Sequence, residues 1–301
     1  MTNNLKHTIW LLFLFFSCGN AVNQKPSDEQ NQATVKDQAR LDSITNLTTE
    51  IALFNEVQSS HIGAGGIESR QYRDYQKLVD ITTEDELLQL TRDTNSTVAT
   101  YAAFGLISRN SSYIPSVLQF SLERDKTVKC MSGCIKHSDK VSRMIYHEYW
   151  NHIKFAEDSD SSSISKDPAL VKMDSIMLEH GPHDWFTYER IFTNRQFPNQ
   201  YIKLIEKVAF DELNVFAIDY LFKTDLNSYS THIQKTLTNI MNGEILAPVY
   251  YDKIFKMLLD YKKEDLNAMV LSKTKEIDAN FGMGKAKRYD ELLDQYGLKR
   301  K

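Results

Sequence analysis

Val98, Ala102, Ala103 and Leu106 recur at helical spacing behind a capping residue, Asn95, and this segment constrains the chain more than any other. The alanines carry so little side chain that a neighbouring helix can approach closely. A polar turn, Arg109 to Ser112, follows, and Tyr113 to Leu122 then reads as a second helix. A hairpin of this kind cannot bury its apolar stripe alone, so it predicts stacking against further helices.

The rest of the chain supplies them. Leu41, Ile44, Leu47, Ile51 and Phe54 share one face of a helix predicted over 39–60. His61 to Ile67 holds three glycines and reads as a turn, because no strand precedes them and no Gly-Lys-Ser/Thr follows to make a phosphate loop. Tyr72 to Ile81 is helical, Thr83 and Glu86 form a capping box ahead of Leu87, Leu88 and Leu90, and Asp93 ends that helix. Further helices are predicted over 141–155, from Pro168 to just before Gly181, and over 185–192, 201–210, 229–241, 249–261, 264–277 and 289–296, with Gly243 as a C-terminal stop. No run of alternating β-branched residues competes with these assignments. The fold class expected is all-α.

A second copy of the opening pattern lies about 115 residues on: Phe216-Ala217 parallels Tyr101-Ala102, and Leu221 parallels Leu106. Tyr229 opens a second helix after a turn over 223–228, and Asp211 and Asn214 precede this copy as Asp93 and Asn95 precede the first. Two unrelated amphipathic hairpins would give the same pattern. The Asp93 to Leu122 unit resembles a repeat of the HEAT-like helical family, although Ala99 stands where that family often has Arg. The resemblance implies helical hairpins stacked as an irregular α-solenoid over residues 41–301, in one stack or in two lobes meeting near 156–168.

The N-terminus carries an address. Lys6, the apolar run Ile9 to Phe16, then Ser17 and Cys18 follow the order of an export signal. Eight apolar residues fall far short of the ~20 that span a bilayer as a helix. Phe15 to Cys18 resembles the lipobox of bacterial lipoproteins, with Phe15 and Phe16 where the family usually has Leu and a small residue. An ordinary cleaved signal and an uncleaved apolar tail are the other readings. The resemblance implies a signal peptide over 1–17, lipidation of Cys18, and anchorage in the bacterial cell envelope, at the outer membrane and facing the periplasm or the cell surface. Residues 18–40, polar and without apolar periodicity, read as a flexible tether. Loss of residues 1–17 would remove Lys6 and no acid, so 36 basic residues become 35 against 40 acidic ones and the net charge moves from −4 to −5. That field is too weak to steer the chain to nucleic acid.

Cys130 and Cys134 stand four positions apart, and outside the cytoplasm they are expected to form a local disulfide that pins a turn. Their spacing fits neither the redox Cys-x-x-Cys nor the haem Cys-x-x-Cys-His motif. His147-Glu148 opens a near miss of the zinc-protease motif: Asn151 stands where the second His belongs, and His152 comes one place too late to share a helix face with His147. A zinc or copper site, if assembled, would draw on His137, His147, Glu148, His152, His180, His183 and Asp184. Loop His and Asp more commonly cap helices or stay solvated. No motif calls for a cofactor.

Fifteen Tyr, fifteen Phe and three Trp are mostly assigned to gaps between helical layers. The function expected is that of an envelope-anchored protein-binding or scaffold module, with the bilayer and another envelope protein as partners and no nucleic acid. The alternatives are an immunity-type inhibitor of a toxin, and a metal-dependent hydrolase using the His147 to His183 region.

Overall fold

The computed structural model describes residues 28–156, 163–181, 184–193, 195–243, 250–282 and 284–300. The segment expected to be a signal peptide, Cys18, part of the expected lobe junction near 156–168, and His183 lie outside the described residues. The chain divides into two compact units, residues 1–45 and 46–301.

Helix α1 (Asp28–Phe54) begins inside the segment expected to be a tether. The physical reason is the absence of any proline or glycine between Pro26 and Gly63, which leaves helix-tolerant Gln, Ala and Lys uninterrupted. It ends six residues before the predicted stop, because Asn55 takes φ 54°, a left-handed conformation that asparagine tolerates. Beyond Asn55 the chain turns to sheet. Strands β1 (Val57–Ile62) and β2 (Ile67–Glu68) pair antiparallel across a turn in which Gly63 and Gly66 take φ 73° and 61°. A second hairpin, β3 (Thr127–Gly133) and β4 (Ile135–Lys140), lies beside it, with β3 parallel to β1 and the sheet order β2-β1-β3-β4.

The all-α expectation is therefore corrected: the fold is mostly helical, with a small four-stranded sheet. These strands escape sequence reading because most of their residues are polar and only one face rests on helices. β4 is exposed or half-buried throughout, and clear alternation is confined to Val128 and Cys130 in β3.

A parallel pair needs a crossover. Here it is four helices, α2 (Arg70–Ile81), α3 (Glu84–Leu90), α4 (Ser96–Ser108) and α5 (Ile114–Arg124), and α6 (Val141–Lys154) then follows β4. The expected capping box opens α3: the Glu86 amide donates to Thr83 Oγ1 at 3.2 Å, and the Thr83 amide donates to Glu86 Oε2 at 2.7 Å. Asn95 caps α4 by accepting from the amides of Thr97 (2.9 Å) and Val98 (3.1 Å). Helix α4 is buried around nearly its whole circumference and packs against α2, α3, α5, α6, β1 and β3. Gly105 permits close approach of α2 and α3, since a Cβ there would lie 2.8 Å from Val79 Cγ2 and 3.2 Å from Leu87 Cδ1.

Past α6 the described chain is helical: α7 (Ser163–Lys166), α8 (Pro168–His180), α9 (Trp185–Phe192), α10 (Ile202–Phe210), α11 (Val215–Thr224), α12 (Leu226–Asn242), α13 (Tyr251–Asp260), α14 (Glu264–Phe281) and α15 (Asp290–Gln295). Asn214 caps α11 as Asn95 caps α4, accepting from Phe216 (3.0 Å) and Ala217 (3.1 Å). The predicted turn over 223–228 shrinks to Asp225 alone, whose side chain accepts from the Ser228 amide and starts α12 three residues early. Gly243 ends α12 as expected. No helix among the described residues is long and apolar enough to cross a membrane.

Candidate functional site

Helices α2, α4 and α6 reach the sheet with paired positions at helical spacing, and a cleft of about 410 Å³ opens where they meet it. Tyr72 and Tyr75 come from α2, Tyr101 and Phe104 from α4, and Met144, His147, Glu148 and Asn151 from α6, while β1 and β3 contribute Val57 to Ser60, Cys130 and Ser132. The aromatic wall is continuous. Tyr75 and Tyr101 stack at 4.7 Å between centroids, Tyr72 meets Tyr75 edge-on at 5.4 Å, and Phe104 meets Tyr101 edge-on at 6.3 Å.

Some of these groups are committed to structure. The Tyr101 hydroxyl accepts from the Gln58 amide at 2.7 Å and donates to the Gln58 carbonyl at 3.2 Å, which fixes β1 to α4 at the start of the irregular pairing between Gln58 and Ile62. The Gln58 side chain accepts from Ser69 Oγ and donates to Glu56 Oε2, each at 2.7 Å.

The α6 side is different. Burial, and then the nearby Arg190, hold the His147 imidazole down at a pKa of about 3, so it is neutral at ordinary pH. Its Nε2 lies 3.4 Å from Thr187 Oγ1. Glu148 lines the cleft, is exposed to solvent, and among the described residues makes no hydrogen bond or ion pair. Surrounding protein raises its pKa, and Arg190 partly offsets that. Arg143 is held by Asp139 and, at 3.1 Å, by Asp184. Arg190 donates to the His147 carbonyl and to Asn151 Oδ1, each at 3.2 Å, and lies 4.6 Å over the Trp150 ring. Burial, then Asp139 and Glu56, push the Cys130 thiol up to about 12.

Of the six metal-ligand candidates among the described residues, the cleft gathers His147 and Glu148. His137 is exposed on β4, opposite Cys130 in the register. His152 Nε2 pairs with Asn110 Oδ1 at 2.8 Å, and His180 lies beside Glu179. Asp184 caps α9, accepting from the Thr187 amide at 3.2 Å. Among the described residues no three His, Cys, Asp or Glu side chains are grouped to hold a metal ion.

The expected Cys130–Cys134 disulfide is not formed in the structure. Both thiols are free, Cys130 buried with its Sγ 3.2 Å from Met144 Sδ and Cys134 exposed at the hairpin tip. Cys130 sits inside β3 with its thiol turned against Met144 of α6, whereas Cys134 lies in the turn between β3 and β4.

Sequence reading did not reach the tyrosine wall. The available signal was the i, i+3 aromatic pairs at 72/75 and 101/104, a spacing that ordinary core packing shares. A buried pin was also missed: Asp174 accepts from Arg195 Nε and from the Tyr146 hydroxyl at 2.6 Å each, and Arg195 donates onward to the carbonyls of Ile164 and Ser165. The chain matches no family model, no curated protein and no solved structure, so the chemistry of the cleft carries the functional reading.

Proposed function

We propose that this chain is a recognition module of the bacterial envelope, held at the membrane through a lipid on Cys18, with its helices stacked as a HEAT-like array and the aromatic cleft taking up its ligand. The observation that carries the reading is the cleft itself: a recessed wall of three tyrosines and a phenylalanine beside Glu148 of α6, which makes no hydrogen bond or ion pair among the described residues. The protonation states favour binding over turnover. A histidine neutral down to about 3 is a weak base near neutrality, and a thiol at about 12 is a poor nucleophile.

Two measurements test the reading. Cys18→Ala should move the protein from the membrane to the soluble fraction; an unchanged distribution would remove the lipid anchor. A photo-crosslinking phenylalanine analogue at Phe104, inside the cleft, should give an adduct in cells that Ser132→Trp abolishes. Equal adduct yield from the exposed Phe155 position would remove the cleft as the recognition site.

A further inference from the structure

The charges around the cleft indicate what its ligand carries. The charged residues in its lining are Asp139 and Glu148, with no lysine or arginine among them. Glu56 stands behind Gln58, mostly buried, and Lys136 approaches it only to 3.8 Å from an exposed position. Arg143 is neutralised by Asp139 and Asp184, and Arg190, whose charge reaches Glu148 without an ion pair to it, is oriented away by a carbonyl, an amide oxygen and the Trp150 ring. On α2 the nearest carboxylate, Asp74, already faces Arg70 and Lys77, while α4 presents no charge. An anion would therefore meet carboxylates, and a bare metal ion would find too few oxygen ligands at Glu148. Aromatic rings facing an unpaired carboxylate suit a soft, bulky cation, whose attraction to a ring face strengthens as water is excluded.

We propose that the cleft binds an organic cation, an alkylammonium or substituted ammonium head group, with Glu148 as counter-ion and Tyr72, Tyr75 and Phe104 as walls. This rests on the reading of the cleft as the ligand site. The Tyr72 and Tyr75 hydroxyls make no hydrogen bond among the described residues, so they are available to polar atoms beside the head group. The head group can belong to a free small amine or to a lysine side chain of a peptide.

Calorimetric titration of the full mature chain carrying Cys18→Ala tests the proposal with three probes: choline, its neutral isostere 3,3-dimethylbutan-1-ol, and Nα-acetyl-lysine methylamide. The expected result is saturable binding of a cation at least about tenfold tighter than the alcohol, the scale of one desolvated cation–ring contact. Glu148→Gln should weaken the cation about tenfold and leave the alcohol unchanged. Tighter binding of choline points to a free amine, and tighter binding of the lysine amide points to a peptide side chain. Alcohol binding equal to choline, or indifference to Glu148→Gln, overturns the cation assignment while leaving the cleft a binding site. Binding of none of the three overturns both.

Discussion

Asn95 and Asn214 cap α4 and α11 in the same manner, yet the aromatic-alanine pair shared by the two hairpins lies about one helical turn deeper into α4 than into α11. The matched positions then do different work. Tyr101 ties its hydroxyl to the backbone of β1, whereas Phe216 packs against Trp185 at 4.2 Å between centroids, with Lys253 over its ring. Gly105 lets Val79 and Leu87 close in, whereas its counterpart Tyr220 fills space against Phe192 and Phe197 and accepts from the Phe197 amide at 2.9 Å. The repeat pattern thus specifies helices and their caps. What each helix rests against is specified elsewhere, and for α4 that includes a pair of strands outside the pattern.

The comparison can be broken first at its most buried pair. Leu106→Ala and Leu221→Ala, both at fully enclosed positions, should each cost about 2–5 kcal/mol in urea unfolding; losses differing by more than about 2 kcal/mol would end the equivalence of the two copies. Tyr101→Phe makes the first hairpin resemble the second and leaves both polar groups of Gln58 without their partner, a loss of about 1–3 kcal/mol. Amide exchange at Gln58 should quicken with it, and unchanged exchange would show that the hydroxyl does not hold β1.

The caps come next. Asn95→Ala and Asn214→Ala should each cost about 1 kcal/mol, with the larger loss at Asn95, whose Nδ2 also reaches Asn55 Oδ1 at 3.2 Å. The remaining effect is one of pH. His147 titrates near 3 when folded and near 6.5 when unfolded, so the unfolded chain binds more protons. The stability tied to neutral His147 is complete above about 6.5 and declines as pH falls towards 3. His147→Asn should remove that part of the acid slope, seen as a smaller shift in urea midpoint between pH 7.5 and pH 4.5 than in the parent. An identical shift would place the imidazole in open solvent.

Elements marked by local chemistry were legible from the residues: the Thr83–Glu86 box, the Asn95 cap, helix α9 from Trp185 to Phe192, and the Gly243 stop. Each is a contact made within one turn of chain. The sheet was not legible, because Ser59, Ser60 and His61 carry no apolar alternation and the pairing partner of β1 lies far away in sequence. Glycines 63, 65 and 66 did announce a turn, though not the strands on either side of it. The site was half legible. His147-Glu148 drew notice as a failed zinc motif, and the structure keeps the pair while exchanging the metal expectation for a wall of tyrosines that had been assigned to the core.

The β1–β3 pairing has a kinetic corollary. Gln58 and Met131 face each other across 73 positions of chain, all of which α2 to α5 must gather before the parallel ladder can close. Contacts of such sequence separation form slowly, since the loop entropy is lost before the contact repays it. The topology therefore predicts that the helical crossover forms ahead of the cleft. A ligand held in the cleft would keep the ladder shut by mass action.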